Sequence, residues 1–183
     1  MAEVKPFRAA RYGDRAGALD TLVAPPYDVI SAAERDQLGG RNPENVVHLT
    51  LPDDEADAGR RWRRWLEDGT LVVEDEPGFW WLSQDYVGPD GIARTREGLV
   101  AALTVEPYER RVILPHERTH RGPKEGRLRL LREVQAQLEP LFFLYEGAPP
   151  AQRPARPPDL ESRVRGSGAC RPTGSRRSRN GSC

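Results

Sequence analysis

The chain has 183 residues, 37% of them hydrophobic and 31% charged, with a formal net charge of zero. That length suits one domain with an appendage. The balanced charge supplies no global field for nucleic acid or a membrane surface, so neither partner is expected. The zero hides an asymmetry. Residues 147–183 carry eight arginines against Asp159 and Glu161, a surplus of six, so the preceding body carries a matching deficit. Both cysteines, Cys170 and Cys183, fall in that basic segment. The body therefore offers neither a disulfide framework nor a thiolate metal site. The first residues lack the apolar core of a signal peptide. No apolar run approaches the roughly 20 residues needed to span a bilayer, and the cytoplasm is the expected compartment.

Residues 4–12 alternate loosely and read as a short edge strand, because Pro6 is tolerable only at an edge. A second short apolar run, residues 21–24, stops at Pro25-Pro26. Ser31 reads as an N-cap and Glu34 completes a capping box, so a short helix is expected from Ala32 to about Leu38, ending at Gly39-Gly40. Residues 41–45, Arg-Asn-Pro-Glu-Asn, read as a turn. Residues 46–51 are rich in β-branched side chains and read as a strand ending at Pro52, with His48 a half-buried strand histidine. Residues 53–68 read as a helix. Trp62, Trp65 and Leu66 give it an apolar face, and Arg60, Arg61, Arg63 and Arg64 fill the solvent side. Gly69 ends it.

Residues 70–73 read as a short strand and residues 79–87 as a long one. Gly88-Pro89-Asp90-Gly91 is a hairpin turn. Residues 92–105 return as the partner strand, with Gly98 at a bulge or a close approach. Residues 124–138 read as a helix whose apolar face is Leu128, Leu130, Leu131, Val134 and Leu138. Pro140 ends it, and residues 141–145 read as a compact buried strand. From Gly147 the chain is Pro, Gly, Ser and Arg almost throughout. It has too little apolar surface to offset its ordering entropy, and disorder is expected. Its composition resembles out-of-frame translation of GC-rich coding sequence.

The densest chemistry lies in residues 113–127. His116, Glu117 and His120 spell His-Glu-x-x-His, the zinc-protease pattern, which works only where a helix puts both imidazoles on one face. Pro115 before it and Gly122-Pro123 after it leave too short a segment for that helix, Arg118 puts a cation beside the metal position, and no third ligand stands out. No metal ligand is assigned. Arg118, Arg121, Lys124 and Arg127 flank a Gly-Pro turn at the start of a helix, an arrangement suited to phosphate. Thr119 lies within it. Glu117 or His116 could then orient a hydroxyl or act as general base in phosphoryl transfer. The simpler alternative is a solvated basic loop paired with the acidic body. Tyr27 and Asp28, after two prolines, form a rigid polar turn in which Asp28 either caps backbone N–H groups or offers a carboxylate to Mg2+. Arg96, near Gly98, could approach a ligand.

Five segments occur in a telling order: Ala24-Pro-Pro-Tyr-Asp-Val-Ile-Ser31, Asn42-Pro-Glu-Asn-Val-Val-His48, Arg96-Glu-Gly-Leu99, His116-Glu-Arg-Thr119 and Leu141-Phe-Phe-Leu-Tyr145. Together they resemble the bacterial family catalogued as domain of unknown function 1015, over residues 4–146. The resemblance implies a modest amount, because the family's activity is not established. Its longer members continue into a second half with an Asp-Gly-His-His-Arg motif. That motif is similar to one in the fold of ParB nucleotide-binding domains, sulfiredoxin and free serine kinases. This chain has no such motif, and it carries Gly126 where the family usually has aspartate before the arginine.

The resulting expectation is an α+β fold, a mixed sheet with a long central β-hairpin and flanking helices, followed by a disordered tail. Residues 1–146 would be the N-terminal part of such a protein and residues 147–183 the tail. The expected function is that of a truncated, kinase-like phosphotransferase acting on a small-molecule substrate with ATP or ADP and Mg2+, inactive in this form. The alternative is a non-catalytic nucleotide-binding or regulatory module. The expected site comprises Glu117 and His116 as catalytic groups, with Arg118, Thr119, Lys124, Arg127, Tyr27, Asp28 and Arg96 binding phosphate or substrate.

Overall fold

The computed structural model describes residues 2–115 and 121–145. Its N-terminal stretch is extended and pairs in steps. Strand β1, Val4–Lys5, runs antiparallel to β6, Ala102–Leu103. Phe7 bridges Gly78, exchanging backbone bonds of 3.0 Å in both directions. Strand β2, Ala10–Tyr12, pairs with β3, Leu71–Val73. Pro6 falls between β1 and the Phe7 bridge, where no ladder needs its missing N–H. The single edge strand expected here is therefore two short strands. The run at residues 21–24 contributes instead to a helical turn, α1, Leu19–Leu22.

Helix α2, Ala32–Arg41, opens with the expected capping box. Ser31 Oγ accepts from the Glu34 N–H at 3.3 Å, and the Glu34 carboxylate accepts from the Ser31 N–H at 2.9 Å. Gly39-Gly40 do not stop the helix. A Cβ on Gly39 would lie 2.9 Å from the His48 ring, so glycine here serves close packing rather than termination.

Residues 46–51 are not a strand. Val47–Thr50 form a short helix, α3. Asn45 is fully buried, and its side-chain oxygen accepts from the Val47 N–H at 2.9 Å, which turns the chain at once. Its amide donates to the Thr21 and Val23 carbonyls at 2.7 and 3.2 Å. Asn42 donates to Thr21 Oγ1 at 3.1 Å and accepts from the Glu44 N–H at 2.8 Å. The Asn-Pro-Glu-Asn segment is thus a clamp that holds α1 to α3. His48 is half-buried as expected, but on this helix, with Nε2 3.3 Å from the Gly39 carbonyl. Burial holds its pKa below the usual histidine value, and Arg61 and Arg35 push the same way.

Helix α4, Glu55–Glu67, is capped by Asp54, which accepts from the Ala56 and Asp57 N–H groups. Trp65 is fully buried and Trp62 packs against the core, whereas Arg63 and Arg64 are exposed. Arg60 and Arg61 pair with Asp57. The tryptophans therefore build the core rather than a stacking surface for bases. The chain leaves α4 through Gly69 at φ +78°, a left-handed conformation that glycine adopts without strain.

Helix α5, Arg121–Val134, begins earlier than expected. Gly122 and Pro123 lie inside its first turn, where backbone N–H groups have no intrahelical partner and proline costs little. It ends earlier too, because Gln135 turns left-handed at φ +60° and its N–H closes on the Leu131 carbonyl at 2.9 Å. Helices α4 and α5 cross at Gly59, where an added Cβ would sit 2.6 Å from the Glu133 carbonyl oxygen. Leu49, Ala58, Trp65, Leu71, Leu130 and Val134 form the core between them, and Tyr12, Trp62, Leu66, Ala136 and Leu138 pack against it. Leu128, expected on this face, is exposed.

Strands β4, Trp80–Val87, and β5, Ala93–Val100, form the expected long hairpin, in unbroken register from Trp80↔Val100 to Val87↔Ala93. Gly98 pairs with Leu82 inside that register, with no bulge, and no atom outside its chain neighbours lies within 4 Å of the position a Cβ would take. The fold is α+β. Among the described residues the strands form three two-stranded antiparallel sheets rather than one mixed sheet. Residues 141–145 are exposed and carry no strand, since no partner strand lies alongside among the described residues. The expected tail, residues 147–183, lies outside the described residues.

Candidate anion-binding site

Two prolines fix the approach to Tyr27. Pro26 is extended at φ −53°, and residues Tyr27–Val29 close a single 3-10 turn. The ring of Tyr27 is thereby held against α5 at Arg127, six residues after Arg121. The Arg127 guanidinium lies over that ring, 3.8 Å from its centroid. This is the closest cation–π contact among the described residues, and stacking fixes the plane of the guanidinium. Arg127 Nη2 donates to the Thr50 carbonyl at 2.8 Å, tying the site to the end of α3. Its Nη1 donates to Glu139 Oε2 at 3.4 Å. The other carboxylate oxygen, Oε1, accepts from the Tyr27 N–H at 3.3 Å.

A guanidinium and a backbone N–H thus converge on one carboxylate. That donor set also suits a phosphate oxygen pair. Burial pushes the Glu139 pKa above the usual carboxylate value. Arg127 and the Tyr27 N–H oppose the shift, and the Asp28 charge adds to it. The Arg127 and Glu139 side chains keep 34% and 28% of their surface exposed, so solvent and small ions can reach both.

Of the residues expected at the site, the structure brings Tyr27, Asp28 and Arg127 together. Lys124 is exposed, three residues before Arg127 and on the same side of α5. Arg121 pairs with Glu125 at 2.6 Å. Arg96 belongs to a different group. It donates to Gln84 at 2.5 Å and lies over the rings of Tyr86 and Phe142, so the hairpin holds it. His116, Glu117, Arg118 and Thr119 lie outside the described residues, and so does His120 with the His-Glu-x-x-His spelling. Among the described residues no group of three or more His, Cys, Asp or Glu side chains could hold a metal ion. No described helix is long and apolar enough to cross a membrane.

Glu139 was not expected at this site. Local sequence shows it only as the last residue before a helix-ending proline, 112 positions from Tyr27. No local signal pointed to it: α5 ends at Val134, and Glu139, five residues beyond, is placed by its tertiary contacts with Tyr27 and Arg127.

The profile of the family described as "Protein of unknown function (DUF1015)" matches residues 4–156. The chain belongs to this family. Comparisons with curated proteins and with solved structures give no match.

Proposed function

We propose that this chain is the phosphate-binding portion of a nucleotide-dependent enzyme of phosphoryl-transfer type. It would act in the cytoplasm on a small-molecule substrate, with ATP or ADP and Mg2+. One observation carries the reading: the stacked Arg127 guanidinium and the Tyr27 N–H present two convergent donors to one anion. Such pre-oriented donors are what phosphoryl transfer asks of a protein, because most of its catalysis is positioning and charge stabilisation. Lys124 supplies a second cation on the same helix face, and Asp28 supplies the nearby carboxylate for Mg2+. In this reading Arg118 and Thr119 extend the phosphate contacts, and Glu117 or His116 orients the attacking hydroxyl. A kinase-like activity of the free serine kinase kind fits that assignment.

The second reading is a non-catalytic nucleotide-binding or regulatory module. It is favoured by the engagement of Arg127 with three protein groups at once, which suits a structural cation as well as a reactive one. Thermal unfolding with millimolar ATP or ADP and Mg2+ tests both readings. A raised melting temperature is expected, and no shift refutes both. Arg127→Lys keeps the charge but loses the planar fork, so nucleotide affinity should fall roughly tenfold. Phosphate release or transfer that disappears in Glu117→Gln identifies the enzyme, and binding without turnover identifies the module.

A further inference from the structure

We propose that the Glu139 carboxylate is a built-in competitor that fills the anion position between Arg127 and the Tyr27 N–H, and that a phosphate group enters by displacing it. This rests on the reading of Arg127 and Tyr27 as anion donors. The carboxylate already behaves as a bound anion: each oxygen takes one donor, one from a guanidinium and one from a backbone N–H. Both contacts are long, at 3.3 and 3.4 Å. Charge-assisted bonds of full strength fall at roughly 2.7–2.9 Å, so this pair is held loosely. By contrast, Arg127 grips the Thr50 carbonyl at 2.8 Å, and the Tyr27 ring lies flush against it. The cation is fixed by contacts that do not involve Glu139 and would stay in place if the carboxylate left.

The chain around Glu139 allows that departure. Leu138 packs on the core, which anchors the near side, while Pro140 and residues 141–145 beyond it are exposed and have no regular structure. The groups facing the carboxylate are Arg127 from α5 and Tyr27 with Asp28 from the 3-10 turn. Asp28 repels Glu139 as it would any second anion there, so no described cation besides Arg127 faces the carboxylate to retain it. Burial disfavours its charged form as well. A dianion offering more oxygens to the same two donors is the better occupant, and Glu139 sets the threshold it must overcome.

The test is binding of inorganic sulfate, a dianion that does not titrate near neutrality, at constant ionic strength. Glu139→Gln keeps the shape and the acceptor for the Tyr27 N–H but removes the competing charge. Its sulfate affinity at about pH 7 should exceed that of the wild type by roughly tenfold. Lowering the pH shifts Glu139 toward its neutral form in the wild type, so the wild-type affinity should rise more steeply than that of the variant and approach it. Arg127→Ala in either background should abolish binding. In the wild type the Tyr27 amide resonance should move on sulfate addition, which tests displacement without relying on a variant. Equal or weaker binding by Glu139→Gln, with the Arg127 dependence intact, overturns the competitor and leaves the anion site standing. No sulfate or phosphate binding by either protein overturns both.

Discussion

Asn45 shows how a buried polar residue can hold a fold rather than serve a site. It uses its whole amide: two donors on the Thr21 and Val23 carbonyls and one acceptor on the Val47 N–H. Asn45→Ala strands the buried Val47 N–H and the partly buried Thr21 and Val23 carbonyls. The expected loss is about 3 kcal/mol, read as a lower urea midpoint at unchanged slope. A loss below about 1 kcal/mol would show that α3 relaxes around the gap. The motif was visible in the sequence and read as a turn, which is locally correct. What could not be read is that its second asparagine reaches back across 22 to 24 residues to organise α1. Glu139 was hidden for the same reason on a larger scale. Its partners, Tyr27 and Arg127, are fixed by tertiary contacts that no local pattern signals. The rigid turn at Tyr27 and Asp28 and the helix that carries Arg127 were legible because proline rigidity and helical periodicity are local signals.

At the scale of elements, the crossing of α4 and α5 depends on one missing methyl group. Helix propensity alone favours Gly59→Ala by about 1 kcal/mol. The contact reverses that sign. A Cβ 2.6 Å from the Glu133 carbonyl oxygen meets backbone, which cannot rotate aside as a side chain can. The net effect should be a loss of about 1–3 kcal/mol, measured by urea unfolding, and a stabilised variant would refute the crossing geometry. The start of α2 was read correctly from its capping chemistry, Ser31 with Glu34, and α4 from the spacing of Trp62, Trp65 and Leu66. Those decided by packing were not. Residues 46–51 are half β-branched, and a short buried run of that kind cannot be told from a helix by periodicity. Residues 141–145 have strand composition but no partner strand among the described residues, and composition cannot supply one.

Across the whole molecule, the α+β class and family membership were both legible, because they rest on motifs spread through the chain. The arrangement of the sheets was not. Three separate two-stranded pairs replace a single sheet, since pairing partners such as Ala10 with Val73 are set by the path of the intervening helices. The packed core gathers α3, α4, β3 and α5. The outer half of the hairpin stands apart from it, with Leu82, Tyr86, Val87 and Ile92 exposed.

The segment after Glu139 has a consequence for how the protein behaves in concentrated solution. Leu-Phe-Phe-Leu-Tyr is a five-residue, uncharged, strand-prone window without proline, and Leu144 alone is 86% exposed. Such a window is a template for intermolecular cross-β stacking. Self-association should therefore set in as concentration rises and should depend on this window rather than on net charge. Leu144→Lys places a gatekeeper charge within the window without touching the core. Light scattering should show its onset of association moved to higher protein concentration, at an unchanged melting temperature. An unchanged onset would place the sticky surface elsewhere, on the hairpin.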